Sequence, residues 1–212
     1  MKTRNKVLVT ILAVAVVIGI FREPIKQFVY GIVTSDMFVT QDDDNFDPGP
    51  QIGEAMPPLR ALYNGEEIRS LEAFSGVTGK VLIASRSFDW CPYCMRQMIE
   101  LQQHKTAFEQ AGLALVAMTY DTPELQRAFA DKHAIDIPIL ADINAASFES
   151  LGILNAEYQK GDDRFGLPYP GIIIINKQGI VVGKLFIEAY SSRVDARSSL
   201  DYAIYSLRQQ QQ

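Results

Sequence analysis

Hydrophobic positions along this chain alternate between two periods, and the alternation predicts the elements. Val81–Ser85 is a short apolar run of strand type. Arg86–Trp90 follow as a loop. From Pro92 to Ala111 the apolar positions Met95, Met98, Ile99, Leu101 and Phe108 recur at helical spacing, and Gly112 ends the pattern. Leu113–Thr119 is the next strand. Thr122 can cap a helix that has Pro123 at its first position and runs to about His133. Ile135–Leu140 reads as a strand, with Pro138 marking an edge or an end. Ser147–Leu151 is a short helix, and Lys177-Gln178-Gly179 turns a hairpin between Ile172–Asn176 and Ile180–Phe186. A last amphipathic helix begins near Ser192 and carries Val194, Leu200, Tyr202, Ala203, Ile204 and Leu207. Strands and helices in alternation, then a hairpin and a closing helix, give an α/β fold: a mixed sheet with helices on both faces.

The first 51 residues follow other rules. Lys2, Arg4 and Lys6 precede Val7–Phe21, a run without charge. A basic start followed by an apolar stretch is a membrane-directed segment. As a helix it covers about 22 Å, short of the roughly 30 Å hydrocarbon core. Ile25, Phe28 and Val29 extend it if Arg22 and Lys26 snorkel. No Ala-X-Ala cleavage site follows, so an uncleaved anchor is favoured over a cleaved signal. The basic end places the N-terminus inside and the rest of the chain outside the cytoplasm, periplasmic in a bacterium. Ser35–Gln51, with Asp42, Asp43, Asp44, Asp47, Pro48 and Pro50, reads as an acidic tether with little to bury. The organisation is therefore an anchor over 1–34, a linker over 35–51, a domain over 52–208 and a tail over 209–212.

The chain has 212 residues and a net charge of −5, which argues against general nucleic-acid binding. Its only two cysteines stand as Cys91-Pro92-Tyr93-Cys94 at the start of the long predicted helix. A thiol there lies at the positive end of the helix dipole, which favours the reactive thiolate, and a second thiol one turn on can resolve it. Haem attachment needs His after the second cysteine, and Met95 stands there. Zinc needs further ligands, and His104 and His133 are too far apart for a clip. No metal and no cofactor is expected. Strand, Cys-X-X-Cys, helix, strand is the setting of a thioredoxin-like redox motif.

Trp90-Cys91-Pro92-Tyr93-Cys94 resembles the active-site box of redoxin proteins on the thioredoxin fold, the AhpC/TSA (peroxiredoxin-like) group with membrane-tethered thiol-disulfide relatives. The lead-in is similar too, with Gly53, Pro57, Asn64-Gly65, Leu71, Phe74 and Gly79-Lys80. Tyr169-Pro170-Gly171 resembles the segment that carries the cis-proline of thioredoxins. The resemblance implies that Cys91 is the exposed nucleophile and Cys94 the resolving thiol. Trp90, Pro92, Tyr93, Tyr169 and Pro170 would then form the substrate-binding surface, with the Pro170 bond cis. Where typical peroxiredoxins carry proline, threonine and arginine for peroxide, this chain has Ala84, Phe88 and Pro170. Arg86 or Arg96 would have to supply the positive charge. Ser85 replaces the buried acid of thioredoxins, leaving Asp89 and Glu100 as candidates for proton handling. His104 and His133 read as surface positions, and Met95 and Met98 as core.

Three functions stay open. Thiol-disulfide exchange ranks first, acting on a protein disulfide with a thiol donor, for which a membrane relay is a candidate. Thiol-dependent peroxide reduction is second. A redox-sensing domain without turnover is third.

Overall fold

The computed structural model describes residues 21–22, 24–26, 28–40, 45–74 and 76–209. Of the predicted anchor over 1–34, the uncharged run 7–21 lies outside these apart from Phe21. Among the described residues, no helix is long and apolar enough to cross a membrane. The chain divides into two compact units, Met1–Asp36 and Met37–Gln212. In the first, residues 28–33 are helical, and Phe28, Val29, Ile32 and Val33 are exposed.

The second unit holds strands β1 (Phe38–Val39), β2 (Ala61–Tyr63), β3 (Glu66–Ile68), β4 (Gly79–Ala84), β5 (Leu113–Thr119), β6 (Ile139–Asp142), β7 (Gly171–Asn176), β8 (Val181–Phe186) and β9 (Arg193–Val194). Its helices are α1 (Pro92–Gln110), α2 (Pro123–His133), α3 (Ala146–Ser150) and α4 (Ala196–Gln209). Seven strands form one mixed sheet in the order β3-β2-β6-β5-β4-β7-β8. β4, β5 and β6 run parallel, and β7 lies antiparallel to β4. Every residue of β4 is buried, as a central strand covered on both faces requires, and β8, at the sheet edge, is buried throughout as well.

Alternation within the strands splits the core in two. Val81, Ile83, Leu115, Ile172 and Ile174 face Met98, Leu101 and Phe108 of α1 and Leu200, Ala203 and Leu207 of α4. Leu82, Val116, Met118, Ile173 and Ile175 face Phe148, Leu151 and Phe186 on the other side. The cysteines therefore open a helix laid across the sheet centre, at the carboxyl end of β4.

Four expectations change. The strand foreseen over 135–140 pairs only from Ile139. Pro138 has no N–H to give, and Gln102 Oε1 takes the amides of Asp136 and Ile137 at 3.1 and 3.3 Å. Thr122 stands before α2, but its side chain makes no capping bond. The last helix begins at Ala196, capped by Asp195, whose Oδ1 accepts from Ser198 N at 2.8 Å. Residues 193–194 are instead β9, parallel to β1. Finally, no peptide bond among the described residues is cis, so the Tyr169–Pro170 bond is trans, the ordinary state of an X–Pro bond.

The stretch read as a tether contributes to this unit. Met37 is buried, and the side chain of Phe46 meets the Tyr169 ring edge-on at 4.9 Å. Asp47 Oδ1 pairs with the buried Lys184 Nζ at 2.8 Å.

Candidate active site

Residues 85–91 leave β4 and must turn back into α1, and one carboxylate organises that turn. Asp121, buried just beyond β5, accepts from Ser87 Oγ at 2.7 Å and from Phe88 N at 2.6 Å. Thr119 Oγ1 adds a third bond at 3.1 Å. Ser87 Oγ in turn accepts from Asp89 N at 3.0 Å and Trp90 N at 3.3 Å. Burial pushes the Asp121 carboxyl up, against these hydrogen bonds. The loop that presents Cys91 is thus tied to the neighbouring strand.

Cys91 is the N-cap of α1, with extended backbone and Pro92 at the first helical position. Its sulfur accepts from Cys94 N at 3.4 Å. Both cysteines are free thiols, and their sulfurs lie 2.8 Å apart. Each sulfur meets a guanidinium. Arg86 Nη2 lies 3.3 Å from Cys91 Sγ, and Arg193 Nη2 lies 3.5 Å from Cys94 Sγ.

The two thiols titrate as one unit. Burial opposes charge on Cys94, but the hydrogen bond from Cys91 and the Arg193 and Arg86 charges outweigh it. The first proton therefore leaves the pair below the ordinary thiol range. The hydrogen bond to Cys94, then burial, holds the remaining proton on Cys91 well above that range.

Expectation placed Cys91 at the surface, but its relative exposure is 0%, like that of Cys94. The segment between β8 and β9 reaches the pair through Arg86 and Tyr93. The Tyr190 ring lies 5.1 Å from the Arg86 guanidinium and meets Tyr93 edge-on at 5.9 Å. The Tyr190 carbonyl accepts from Arg86 Nη2 at 3.3 Å and from Arg193 Nη1 at 2.9 Å. One backbone oxygen thereby joins the two cations that face the sulfurs.

The remaining candidates divide. Trp90 is partly exposed beside the pair; its Nε1 donates to Tyr120 Oη at 2.8 Å, and Arg86 lies 5.8 Å from its ring. Pro92 and Tyr93 are half-buried in the first turn of α1. Pro170 is buried and lines a small cavity of about 10 Å³ with Gln97 and Arg193. Tyr169 instead packs on the opposite core layer, against Phe46. Arg96 is exposed and acts on Glu100 rather than on a sulfur. Glu100 Oε1 accepts from Ala196 N at 3.3 Å, at the start of α4. Asp89 is exposed. Among the described residues no cluster could hold a metal ion.

Arg193, Tyr190 and Asp121 were not foreseen. Arg193 lies 99 residues from the cysteine it contacts, in a stretch whose local pattern reads as helix. Asp121 had a weak cue, as a lone acid between strand end and helix start.

Residues 52–184 match the AhpC/TSA family. The thiol-disulfide oxidoreductase ResA of Halalkalibacterium halodurans is 26% identical over 117 residues, which cover 55% of this chain and 56% of that protein. The putative peroxiredoxin bcp of Haemophilus influenzae is 26% identical over 136 residues, covering 62% of this chain and 83% of that protein. Among solved structures, the peroxidoxin BcpB from Mycobacterium tuberculosis superposes with a TM-score of 0.60. It is 17% identical over 75% of this chain and 97% of that one, a likeness of fold. The match thus spans little more than half the length of the ResA relative.

Proposed function

The chain belongs to the AhpC/TSA family, and from that premise we propose that it is a thiol-disulfide oxidoreductase that cycles Cys91 and Cys94 between dithiol and disulfide. The supporting observation is the pair of free sulfurs 2.8 Å apart at a helix N-terminus, each beside a guanidinium. Attack by the Cys91 thiolate on a partner disulfide expels one partner thiolate and leaves a mixed disulfide. The Cys94 thiolate then attacks Cys91 Sγ and expels the second. Two electrons pass to the partner, and the enzyme is left with a Cys91–Cys94 disulfide. Trp90 and Tyr93 offer the flat apolar surface beside the reacting sulfur, with Pro92 and Pro170 flanking it. Because Cys91 is fully buried, neighbouring side chains must move aside before a protein disulfide can reach it.

The second reading is peroxide reduction, and the two guanidiniums favour it, since they supply the charge that a developing alkoxide or hydroxide needs. In that cycle Cys91 becomes a sulfenic acid, and Cys94 condenses with it, releasing water. Ala84 and Phe88 give no hydroxyl to hold peroxide, which ranks this second.

Stopped-flow mixing of the reduced full-length chain with hydrogen peroxide, read by Trp90 fluorescence, separates the two. A rate equal to that of an ordinary thiolate, with rapid reduction of a protein disulfide, is expected. A fast, saturable quench lost in Cys91→Ser reverses the ranking. A single redox change without turnover under excess reductant leaves only a sensing domain.

The proposal also sets the domain outside the cytoplasm on a membrane tether. It is supported by the uncharged run 7–21 behind Lys2, Arg4 and Lys6, and by the exposed apolar side chains of Phe28, Val29, Ile32 and Val33. Retention in the membrane fraction through an alkaline carbonate wash is the expected result; release into the wash refutes the tether.

A further inference from the structure

Arg193 is 3% exposed, and its planar guanidinium must place every N–H donor inside the protein. Nη1 donates to the carbonyls of Tyr190 and Ser192, and Nη2 faces Cys94 Sγ at 3.5 Å. Nε is buried and has no partner among the described residues. Gln97 follows Cys94 by one turn on the same side of α1. It is 2% exposed, and its Oε1 has no partner among the described residues either. A buried donor and a buried acceptor left unmatched are both costly. These two do not bond each other, yet both residues line one cavity of about 10 Å³. A water needs about 10–15 Å³ and two to four polar partners. Ser192 is on the wall too, while Pro170, Ile172, Leu185 and Val194 make it otherwise apolar. The space therefore suits one water and is too small for a substrate.

We propose that this cavity is a resident water site, in which the water accepts from Arg193 Nε and donates to Gln97 Oε1, and that Gln97 is a positioning residue acting through it. A guanidinium is rigid, so a bond at Nε fixes the direction in which Nη2 points. The backbone fixes the other end of the side chain, since Arg193 N donates to Met37 O at 2.8 Å and Asp195 N to Val39 O at 3.0 Å. Held at both ends, Arg193 meets Cys94 Sγ in one orientation. A methyl group filling the same space would leave Gln97 Oε1 and Arg193 Nε unmatched, so the site calls for a small molecule that both donates and accepts. A guanidinium held on the pair favours the reduced sulfurs, which can carry charge, over the disulfide, which cannot. That last effect rests on the redox reading above; the water site stands without it.

The test compares the full-length parent with Gln97→Met and Gln97→Asn, all reduced. In a crystal structure of the parent that shows ordered solvent, one water should lie within hydrogen-bond distance of Gln97 Oε1 and Arg193 Nε. In solution, the Arg193 Nε–H resonance should show a nuclear Overhauser effect to a long-lived water. An empty cavity, or Gln97 Oε1 bonded directly to Arg193 Nε, overturns the proposal. Met matches Gln in length but offers only a weak acceptor. It should lose the water and speed exchange of Arg193 Nε–H with solvent by roughly tenfold or more. It should also move the redox equilibrium with glutathione by about threefold or more toward the disulfide. Asn keeps the acceptor and should behave like the parent in both. A Met variant that matches the parent in either readout overturns the proposal. If the Met variant does not fold, the parent decides alone, and absence of the Overhauser effect to water overturns the proposal. None of these readouts requires a substrate. Loss of disulfide turnover with the water in place would sink the proposed activity and leave the water site standing.

Discussion

Cys91 and Cys94 differ in what surrounds them, and the difference assigns their fates. Cys91 Sγ caps the helix and lies against Arg86; Cys94 Sγ lies one turn deeper, against Arg193. Cys94→Ser should therefore trap a mixed disulfide on Cys91, seen as a mass adduct under non-reducing conditions, whereas Cys91→Ser should trap none. The reverse pattern would exchange the two roles. The coupled titration adds a stability effect with a definite sign. Unfolded, both thiols titrate near 8.5. Folded, the first proton leaves below that value, so between the lowered value and ~8.5 the unfolded chain binds more protons and stability rises with pH. Above ~8.5 the folded pair still holds its second proton, and stability falls. The reduced parent, measured against Cys91→Ser/Cys94→Ser by thermal unfolding, should show a maximal advantage near pH 8.5. A flat difference would mean that the thiols do not share a charge. At this scale the sequence made the cysteines and their aromatic neighbours legible, because their chemistry depends on spacing of three or fewer residues. Arg193 and Tyr190 reach the site only through the pairing of β9, which no local pattern encodes.

The elements around the site are held by small numbers of contacts that single substitutions can remove. Asp121→Ala leaves Ser87 Oγ, Phe88 N and Thr119 Oγ1 without their acceptor, and each unsatisfied buried donor costs about 1–3 kcal/mol. A loss of roughly 3 kcal/mol in denaturant unfolding is expected, together with faster alkylation of the cysteines as the loop loosens. Equal stability would show that water replaces the carboxylate. At the start of β7, a Cβ on Gly171 would lie 2.2 Å from the Phe186 ring. Gly171→Ala should therefore destabilise by about 1–3 kcal/mol through overpacking, and a neutral result would mean that Phe186 moves freely. Long elements with strong periods, such as α1, β5 and β7, stood out in the sequence. β6 was misplaced at its start because Gln102, on another element, takes the amides of Asp136 and Ile137. The start of α4 was misplaced because Arg193 and Val194 satisfy a helical pattern and a strand equally well.

At the scale of the second unit, the candidate active site depends on chain far from it in sequence. The sheet puts β4 at its centre, α1 and α4 fill one face, and the cysteines lie where that face meets the carboxyl end of β4. Alternating burial predicts this much of the arrangement. The stretch 35–51 reads as a tether from its acids and prolines, yet Met37 is buried and β1 pairs with β9. That short parallel pair holds the segment bearing Tyr190 and Arg193, and with it the carbonyl that joins the two guanidiniums facing the sulfurs. Met37→Ala removes a buried side chain at its start, with an expected loss of about 2–4 kcal/mol. If β1 serves only as local packing, the fall in stability will be the whole effect, and alkylation of the reduced cysteines under native conditions will match the parent. If β1 anchors the segment over 187–194, alkylation will accelerate by more than the loss of global stability allows, because that segment will open without unfolding the sheet. Alkylation followed across a denaturant series that starts at zero distinguishes these outcomes, since local opening persists where global unfolding vanishes.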